Sequence, residues 1–213
     1  MSGDDTRIEL QIDLFDLAAQ RAMALNTLTP PQLVAAMLEE FRELEFLGDA
    51  PGDYQLLKLA DRSPLDDTAA LGDQVRGGDR LILVERVAAA PTGTRRPSKP
   101  VYLREQGSGK VFRLDWQPAI IGRPDLGQAG NELVSVDLTA HPAGQRVSRR
   151  HAQIVESDGV FFVEPLSPNP TLVRDGQGNT LPPEKRQPLR HGDVVFLENS
   201  QIALKFIVRA EGA

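Results

Sequence analysis

One segment divides this chain into two parts. Residues 88–100, AAAPTGTRRPSKP, hold three prolines and mostly small side chains, and their only charged residues are Arg95, Arg96 and Lys99. Such a composition is typical of a linker, because it offers no large apolar side chain to bury. At 213 residues the chain is long enough for two small domains with separate cores. The sequence therefore predicts a domain over residues 1–88, a Pro/Ala-rich basic linker over 89–99 and a second domain over 100–213.

Charge and composition narrow the range of functions. Residues 1–88 carry 8 Lys and Arg against 17 Asp and Glu, whereas residues 100–213 carry 13 of each. An acidic first half repels nucleic-acid phosphates and the second half has no basic excess, so no nucleic-acid partner is expected. Cysteine is absent, which excludes disulfides and thiolate metal sites. Without a signal peptide or an apolar run of the ~20 residues that a membrane span needs, a cytoplasmic protein without membrane insertion is expected.

The apolar periodicity of residues 1–88 predicts strands around one helix. Residues 7–14 alternate polar and apolar side chains, as a half-buried strand does, and a second strand is expected near residues 20–25. Thr29 followed by Pro30 and Pro31 predicts the start of a helix. The apolar face of that helix is expected to comprise Leu33, Met37, Phe41 and Leu44. Two further strands are predicted over residues 54–59 and 80–84.

This β-β-α-β-β order resembles the ubiquitin-like β-grasp fold, over residues 6–87. The turn before the last ubiquitin strand is similar to residues 64–71, which begin with Pro64-Leu65 and end with Ala70-Leu71. The resemblance implies an α+β protein-interaction domain, and among bacterial relatives such domains accompany type VII secretion systems. Gly77 and Gly78 follow an arginine as in a conjugation tail, but they precede the final predicted strand. Since conjugation requires a free C-terminus, these glycines are predicted to form a turn.

The second half consists of short apolar segments without a helical period. Asp158-Gly159 between two of these segments predicts a tight hairpin turn. Many short strands over ~110 residues predict an all-β sandwich. The predicted strands are residues 101–103, 111–114, 119–121, 152–155, 160–163, 194–197 and 202–208.

Three loop motifs lie between these strands. They are Ile121-Gly122-Arg123, Val147-Ser148-Arg149-Arg150-His151-Ala152 and Ser167-Pro168-Asn169-Pro170-Thr171. In order and spacing they resemble the GR, SxxH and NGT motifs of the forkhead-associated (FHA) domain. Residues 189–195, LRHGDVV, are similar to the L-x-x-G-D turn of the same family. The resemblance covers nearly the whole second half, and it implies an FHA-type β-sandwich whose loops bind phosphothreonine.

The residue types in these motifs suit a phosphate ligand. A phosphate ester carries between one and two negative charges and three strong acceptor oxygens. Arg123 has a rigid fork of donors for two of those oxygens, and Ser148 adds a small hydroxyl donor. Arg149 can supply a second charge or its backbone N–H. Such charge-assisted hydrogen bonds contribute roughly 1.5–3 kcal/mol each. By resemblance, Asn169 holds the main chain of the ligand.

The remaining motif residues have other expected roles. Thr171 completes the third motif and is included among the phosphopeptide-binding residues by resemblance. Gly122 is predicted to be a turn residue, and His151 a scaffold residue whose ring bonds nearby loop backbone. Pro170 stands where the family usually has glycine, which favours an extended Asn169.

Two binding functions and one enzymatic function can be compared. The first is a non-catalytic adaptor that binds partners phosphorylated on threonine by a Ser/Thr kinase, with the ubiquitin-like domain as a second interaction surface. The alternative is a structural component of a type VII-like secretion or signalling assembly, with a degenerate, phosphate-independent FHA domain. An enzyme is not expected. The three histidines lack zinc-ligand spacing, and neither a P-loop nor a G-x-S-x-G motif occurs. No metal or other cofactor is predicted.

Overall fold

The computed structural model describes residues 6–209 except residues 126, 128, 182 and 183. The chain forms two compact units, which divide between Val87 and Ala88. Within the described residues, no helix has the length and apolar character that a bilayer crossing requires.

The first unit is a four-stranded mixed sheet with one long helix. The strand order is β2-β1-β4-β3. Strand β1 is antiparallel to β2 and parallel to β4, and β4 is antiparallel to β3. The elements are β1 (Arg7–Leu14), β2 (Leu17–Leu25), α1 (Pro30–Glu40), β3 (Tyr54–Lys58), the short α2 (Leu71–Gln74) and β4 (Arg80–Glu85).

The sequence pattern accounts for these elements. Leu10, Ile12 and Leu14 of β1 are buried, as its period of two predicted, and each contributes about 1.5–3 kcal/mol of burial free energy. At the start of α1, the backbone N–H of Thr29 donates to the side-chain oxygen of Gln32 at 2.9 Å. The helix ends at Glu40, earlier than predicted, because Phe41 leaves helical geometry with ψ 22°. Phe41 and Leu44 still pack against the core from the turns that follow.

The Gly77-Gly78 turn lies where it was predicted. Gly78 has a φ of +89°, which a residue with a Cβ rarely adopts. Its backbone N–H donates to the carbonyl oxygen of Glu9 at 2.9 Å. The diglycine is thus an internal turn that joins β1 to the start of β4.

The second unit consists of two five-stranded sheets. Their strand orders are β12-β10-β9-β7-β8 and β11-β13-β14-β5-β6. The strands are β5 (Val101–Glu105), β6 (Val111–Arg113), β7 (Ala119–Gly122), β8 (Val134–Asp137), β9 (Arg150–Ser157), β10 (Val160–Pro165), β11 (Thr171–Arg174), β12 (Gln187–Leu189), β13 (Val194–Leu197) and β14 (Ile202–Val208).

The two sheets share one apolar core, as a β-sandwich does. Phe161 of one sheet and Phe206 of the other have ring centroids 5.5 Å apart. Asp158 and Gly159 have φ of 52° and 75°, the positive values that a tight β9–β10 hairpin turn requires. Three strands, β8, β11 and β12, were not predicted. All three are short edge strands in which polar residues stand beside one or two apolar ones, so no apolar segment marks them in the sequence.

The segment predicted as a linker is bound to the second unit over residues 95–98. Arg95 and Gln117 exchange two backbone hydrogen bonds, of 3.1 and 2.8 Å. The backbone N–H of Ser98 donates to a carboxylate oxygen of Glu156 at 2.9 Å. Composition does not predict these bonds, because they join backbone groups to partners far along the chain. The assignment of residues 89–99 as a linker stays a prediction.

Candidate functional site

Gly122 allows two of the loop motifs to meet. A Cβ added at Gly122 would lie 2.0 Å from the carbonyl oxygen of Arg149, a distance that no side chain tolerates. The next residue, Arg123, donates its backbone N–H to that same oxygen at 2.9 Å. Glycine is therefore required by this close approach at the end of β7, and the approach brings Arg123 beside the loop that precedes β9.

Arg123 is half-buried and anchored from two directions. Its Nε donates to the carbonyl oxygen of Val147 at 2.9 Å. Its Nη1 donates to the side-chain oxygen of Gln145 at 3.0 Å. These two bonds fix the plane of the guanidinium, and the remaining N–H donors of the group are available for a ligand. Because Val147 directly precedes Ser148, the cation lies next to the second motif.

Ser148 joins the second motif to the third. Its hydroxyl donates to Oγ of Ser167 at 2.9 Å and accepts from the side-chain amide of Asn169 at 2.8 Å. All three side chains are half-buried, at the ends of strands β9, β10 and β11. Residues about 20 positions apart in the sequence thus form one hydrogen-bonded group on the loops.

Pro170 does not turn the amide of Asn169 away from Ser148. The side-chain oxygen of Asn169 accepts from the amide of Asn199 at 3.1 Å, while its nitrogen donates to Ser148. The carbonyl of Pro170 accepts from the backbone N–H of Glu198 at 3.2 Å, so the turn before β14 supports the third motif. Both ends of the Asn169 amide are therefore held in one orientation.

Arg149 carries the most exposed charge of the group. Its side chain is 62% exposed, and its Nη1 lies 3.1 Å from a carboxylate oxygen of Asp125. Asp125 is only 19% exposed, but the Arg149 end of the pair is open to water, so the pair contributes on the order of 1 kcal/mol. Arg149 can consequently exchange Asp125 for another anion at low cost.

His151 is fully buried below these loops. Its Nδ1 accepts from the backbone N–H of Ser148 at 3.3 Å. Burial lowers the pKa of His151, and the opposing effect of the Pro170 backbone is smaller. The ring is therefore neutral near pH 7 and positions Ser148 through a backbone contact.

Thr171 differs from the other motif residues. It is the first residue of β11 and pairs with Leu197 of β13. Its hydroxyl oxygen is buried and makes no hydrogen bond within the described part of the chain. The structure thus brings Arg123, Ser148, Arg149 and Asn169 together on the loops and places the Thr171 hydroxyl beneath the surface.

Four side chains of this site were not predicted as site residues. Ser167 binds Ser148, Asn199 binds Asn169, Gln145 binds Arg123, and Asp125 pairs with Arg149. Ser167 lies within the third motif, where its hydroxyl is a usable signal. The other three lie outside the motifs, and only the fold reveals their contacts.

A family model described as "FHA domain" matches residues 119–197, which include all three loop motifs. This part of the chain is an FHA domain, as the motifs predicted. Comparison with curated proteins finds no match.

Several solved structures are similar to part of the chain. One, described as an analysis of phosphothreonine-dependent FHA domain interactions, is 26% identical over 52% of this chain and 98% of that chain, with a TM-score of 0.39. The FHA domain of human APLF, solved with an XRCC1 bisphospho peptide, is 23% identical over 51% of this chain and 97% of that chain, with a TM-score of 0.36. EmbR of Mycobacterium tuberculosis, solved with a low-affinity phosphopeptide, is 22% identical over 54% of this chain and 26% of that chain, with a TM-score of 0.40.

Proposed function

We propose that the protein is a non-catalytic adaptor whose FHA domain binds a phosphothreonine on a protein partner. The observation that carries this function is the contact of the Asn169 amide with the Ser148 hydroxyl at 2.8 Å. Arg123 is bonded to the residue beside Ser148, so a cation, a hydroxyl and an amide converge from three loops. A phosphothreonine side chain and the main chain that carries it call for this combination of groups.

Each of these groups has a distinct role in binding. Arg123 and Arg149 supply the positive charge, and the fork of Arg123 donates to two phosphate oxygens. Ser148 turns its hydroxyl from Ser167 to the phosphate, which exchanges a neutral hydrogen bond for a stronger charge-assisted one. Asn169 binds the ligand's backbone and fixes the peptide's register. The buried hydroxyl of Thr171 does not support a side-chain contact with the ligand.

The first unit is proposed to be a ubiquitin-like β-grasp domain that serves as a second protein-interaction surface. The order β2-β1-β4-β3, with a parallel central pair and α1 between β2 and β3, supports this fold assignment. The side chain of Met23 on the edge strand β2 is 60% exposed, and an apolar edge residue of this kind suits a protein contact.

A second candidate function is a structural role without phosphate, in a secretion or signalling assembly. The observation that favours it is that every side chain proposed to bind the phosphopeptide already has a partner within the protein. Arg123 is bonded to Gln145, Ser148 to Ser167, Arg149 to Asp125 and Asn169 to Asn199. A site that has lost its ligand would be closed by such contacts.

Calorimetric titration of the full chain separates the two candidates. A degenerate phosphothreonine peptide pool is expected to release heat, and the same pool without phosphate is not. Arg123→Ala removes two charge-assisted bonds of roughly 1.5–3 kcal/mol each and is expected to weaken binding at least 100-fold.

The matched control is Arg190→Ala. Arg190 is an exposed arginine beside the Asp158-Gly159 hairpin, at the far end of β10 from Ser167, and this variant should keep its affinity. Equal heat from both pools, or unchanged affinity of Arg123→Ala, would reject phosphate recognition at this site.

A further inference from the structure

A buried carboxylate holds the segment that enters the second unit. Glu156 on β9 is only 7% exposed. Its carboxylate accepts from the backbone N–H of Ser98 at 2.9 Å, from the Ser98 hydroxyl, and from the side-chain amide of Gln117 at 3.0 Å. The carboxylate is therefore the hub of a polar group that joins residue 98 to β9.

Arg95 also belongs to this hydrogen-bonded group. Arg95 and Gln117 exchange two backbone hydrogen bonds, and the Arg95 guanidinium donates to the backbone carbonyl of Glu156. The Glu156 N–H donates in turn to the side-chain oxygen of Gln117. We call Arg95, Ser98, Gln117 and Glu156 the Glu156 cluster. Residues 95–98 are held to the unit by this cluster.

Glu156 is ionised within the cluster. Burial alone would raise the pKa of Glu156, but hydrogen bonds from Ser98 and Gln117 and the charge of Arg95 together hold it below its usual value. A full negative charge consequently faces the Ser98 hydroxyl at neutral pH. The contact is stable only while Ser98 remains an uncharged donor.

The residues before Ser98 match the sequence preference of a basophilic protein kinase, which binds basic residues before the target serine. Ser98 is exposed, and Arg95 and Arg96 lie three and two positions before it. Kinases with acidic substrate grooves bind arginines at these two positions by charge complementarity. Thr94, by contrast, is half-buried, donates its hydroxyl to the carbonyl of Pro91 at 2.6 Å and has no arginine shortly before it.

We propose that Ser98 is a phosphorylation site for a basophilic Ser/Thr kinase, and that its modification releases residues 95–98 from Glu156. The γ-phosphoryl group of ATP passes to Oγ of Ser98. The new P–O bond replaces the bond to the β-phosphate, ADP leaves, and the hydroxyl proton passes to the kinase's base. The product has lost the donor that Glu156 accepted from, and it places a charge of about −1.5 to −2 against a buried carboxylate.

The segment is suited to this switch because hydrogen bonds hold it, not apolar packing. None of the side chains of residues 95–98 is fully buried, and their bonds to Gln117 and Glu156 are polar, so their opening costs less than unfolding the sandwich. The kinase therefore has access to Ser98 without disruption of the core. Phosphothreonine recognition by the distant loops is not required for this release.

The first test is phosphorylation of the full chain by the catalytic subunit of cAMP-dependent protein kinase with MgATP, with the modified residue located by mass spectrometry. One phosphate on Ser98 is expected, and Ser98→Ala should remove it. Arg96→Ala should lower the rate at least 5-fold. Among the described residues the Arg96 side chain bonds only the Ala88 carbonyl, at 3.4 Å, so its loss leaves the cluster intact. Absence of phosphate from Ser98 would overturn the assignment.

The second test measures release by NMR amide hydrogen exchange. The N–H groups of Arg95, Ser98 and Gln117 should exchange at least 10-fold faster after phosphorylation, whereas that of Leu114, bonded to the Val101 carbonyl at 2.9 Å, should not change. Thr92→Glu adds charge to an exposed residue of the same segment and should leave all four rates unaltered. Unchanged exchange in the phosphorylated protein would refute the release. Equal acceleration in unmodified Ser98→Ala would refute the role of charge.

Discussion

Two polar groups of the second unit, the phosphate-site cluster of Arg123, Ser148, Arg149 and Asn169 and the Glu156 cluster, use similar chemistry in opposite ways. In the proposed phosphate-site cluster the charges are cationic, half-buried or exposed, and their protein partners are neutral groups or one carboxylate, that of Asp125, which is 19% exposed. In the Glu156 cluster the buried charge is an anion, 7% exposed, which accepts from Ser98 and Gln117 and is balanced by the exposed cation of Arg95. A recognition site keeps donors that a ligand can take, whereas a structural cluster satisfies its buried charge from within.

The largest expected effects come from one substitution in each cluster, compared for peptide binding and for stability. Ser148→Ala should weaken phosphothreonine peptide binding about 10- to 100-fold and lower the free energy of unfolding by less than about 1 kcal/mol. Glu156→Ala leaves the donors of Ser98 and Gln117 without a partner, and should lower the free energy of unfolding by about 2–4 kcal/mol without loss of binding.

Both quantities can be measured on the full chain. Trp116 is the only tryptophan and lies in the second unit, so its fluorescence in urea reports the unfolding of that unit. Peptide titration supplies the affinity. The distinction between the clusters fails if Glu156→Ala weakens peptide binding as strongly as Ser148→Ala does.

The second prediction concerns pH. The pKa of Glu156 is lower in the folded protein than its ordinary value of 4.5, because of hydrogen bonds from Ser98 and Gln117 that outweigh burial. Its contribution to stability is thus fully present above pH 4.5, and it is lost as the pH falls through the lower folded pKa. Glu156→Gln lacks this titration, so the wild-type advantage in unfolding free energy should be largest at pH 7 and shrink at pH 3.

Urea titrations followed by Trp116 fluorescence at pH 7, 5 and 3 check this difference between the two proteins. Other carboxylates with lowered pKa, such as Glu105 and Asp175, titrate equally in both and cancel in the comparison. An advantage of constant size from pH 7 to 3 would contradict an ionised Glu156 at the centre of its cluster.

The smallest expected effect tests whether a phosphate can replace Asp125 as the partner of Arg149. Asp125→Asn removes the carboxylate that pairs with Arg149 at 3.1 Å and that would also repel a phosphate. Peptide affinity should rise about 2- to 5-fold, while the unfolding free energy should change by on the order of 1 kcal/mol or less, since the Arg149 end of the pair is open to water. Calorimetry measures the first and Trp116 fluorescence the second. Weaker binding by Asp125→Asn would mean that the ion pair prepares Arg149 for the ligand.

Much of the fold follows from local patterns in the sequence. The strand predicted over residues 7–14 and the Asp158-Gly159 hairpin lie where they were predicted, and each short apolar segment predicted in the second half overlaps a strand. The three motifs identified the FHA domain that the family match places at residues 119–197. These features could be predicted from the sequence because strands, turns and motifs depend on residues that are neighbours along the chain. Edge strand β12 could not be predicted in this way, because its sequence Gln-Pro-Leu has no apolar run and its pairing with β10 depends on the fold.

The partners of the key side chains were decided by the tertiary structure. Ser98 meets Glu156 across 58 positions, Asn169 meets Asn199 across 30, and Arg123 meets Gln145 across 22. None of these pairs has a local signal, because a hydrogen bond depends on where packing of the two sheets places each donor and acceptor. The sequence by itself predicted the FHA motifs and the residues proposed to recognise a phosphate. The fold decided which of them stand together, and it bound residues 95–98, read as linker, to a buried carboxylate.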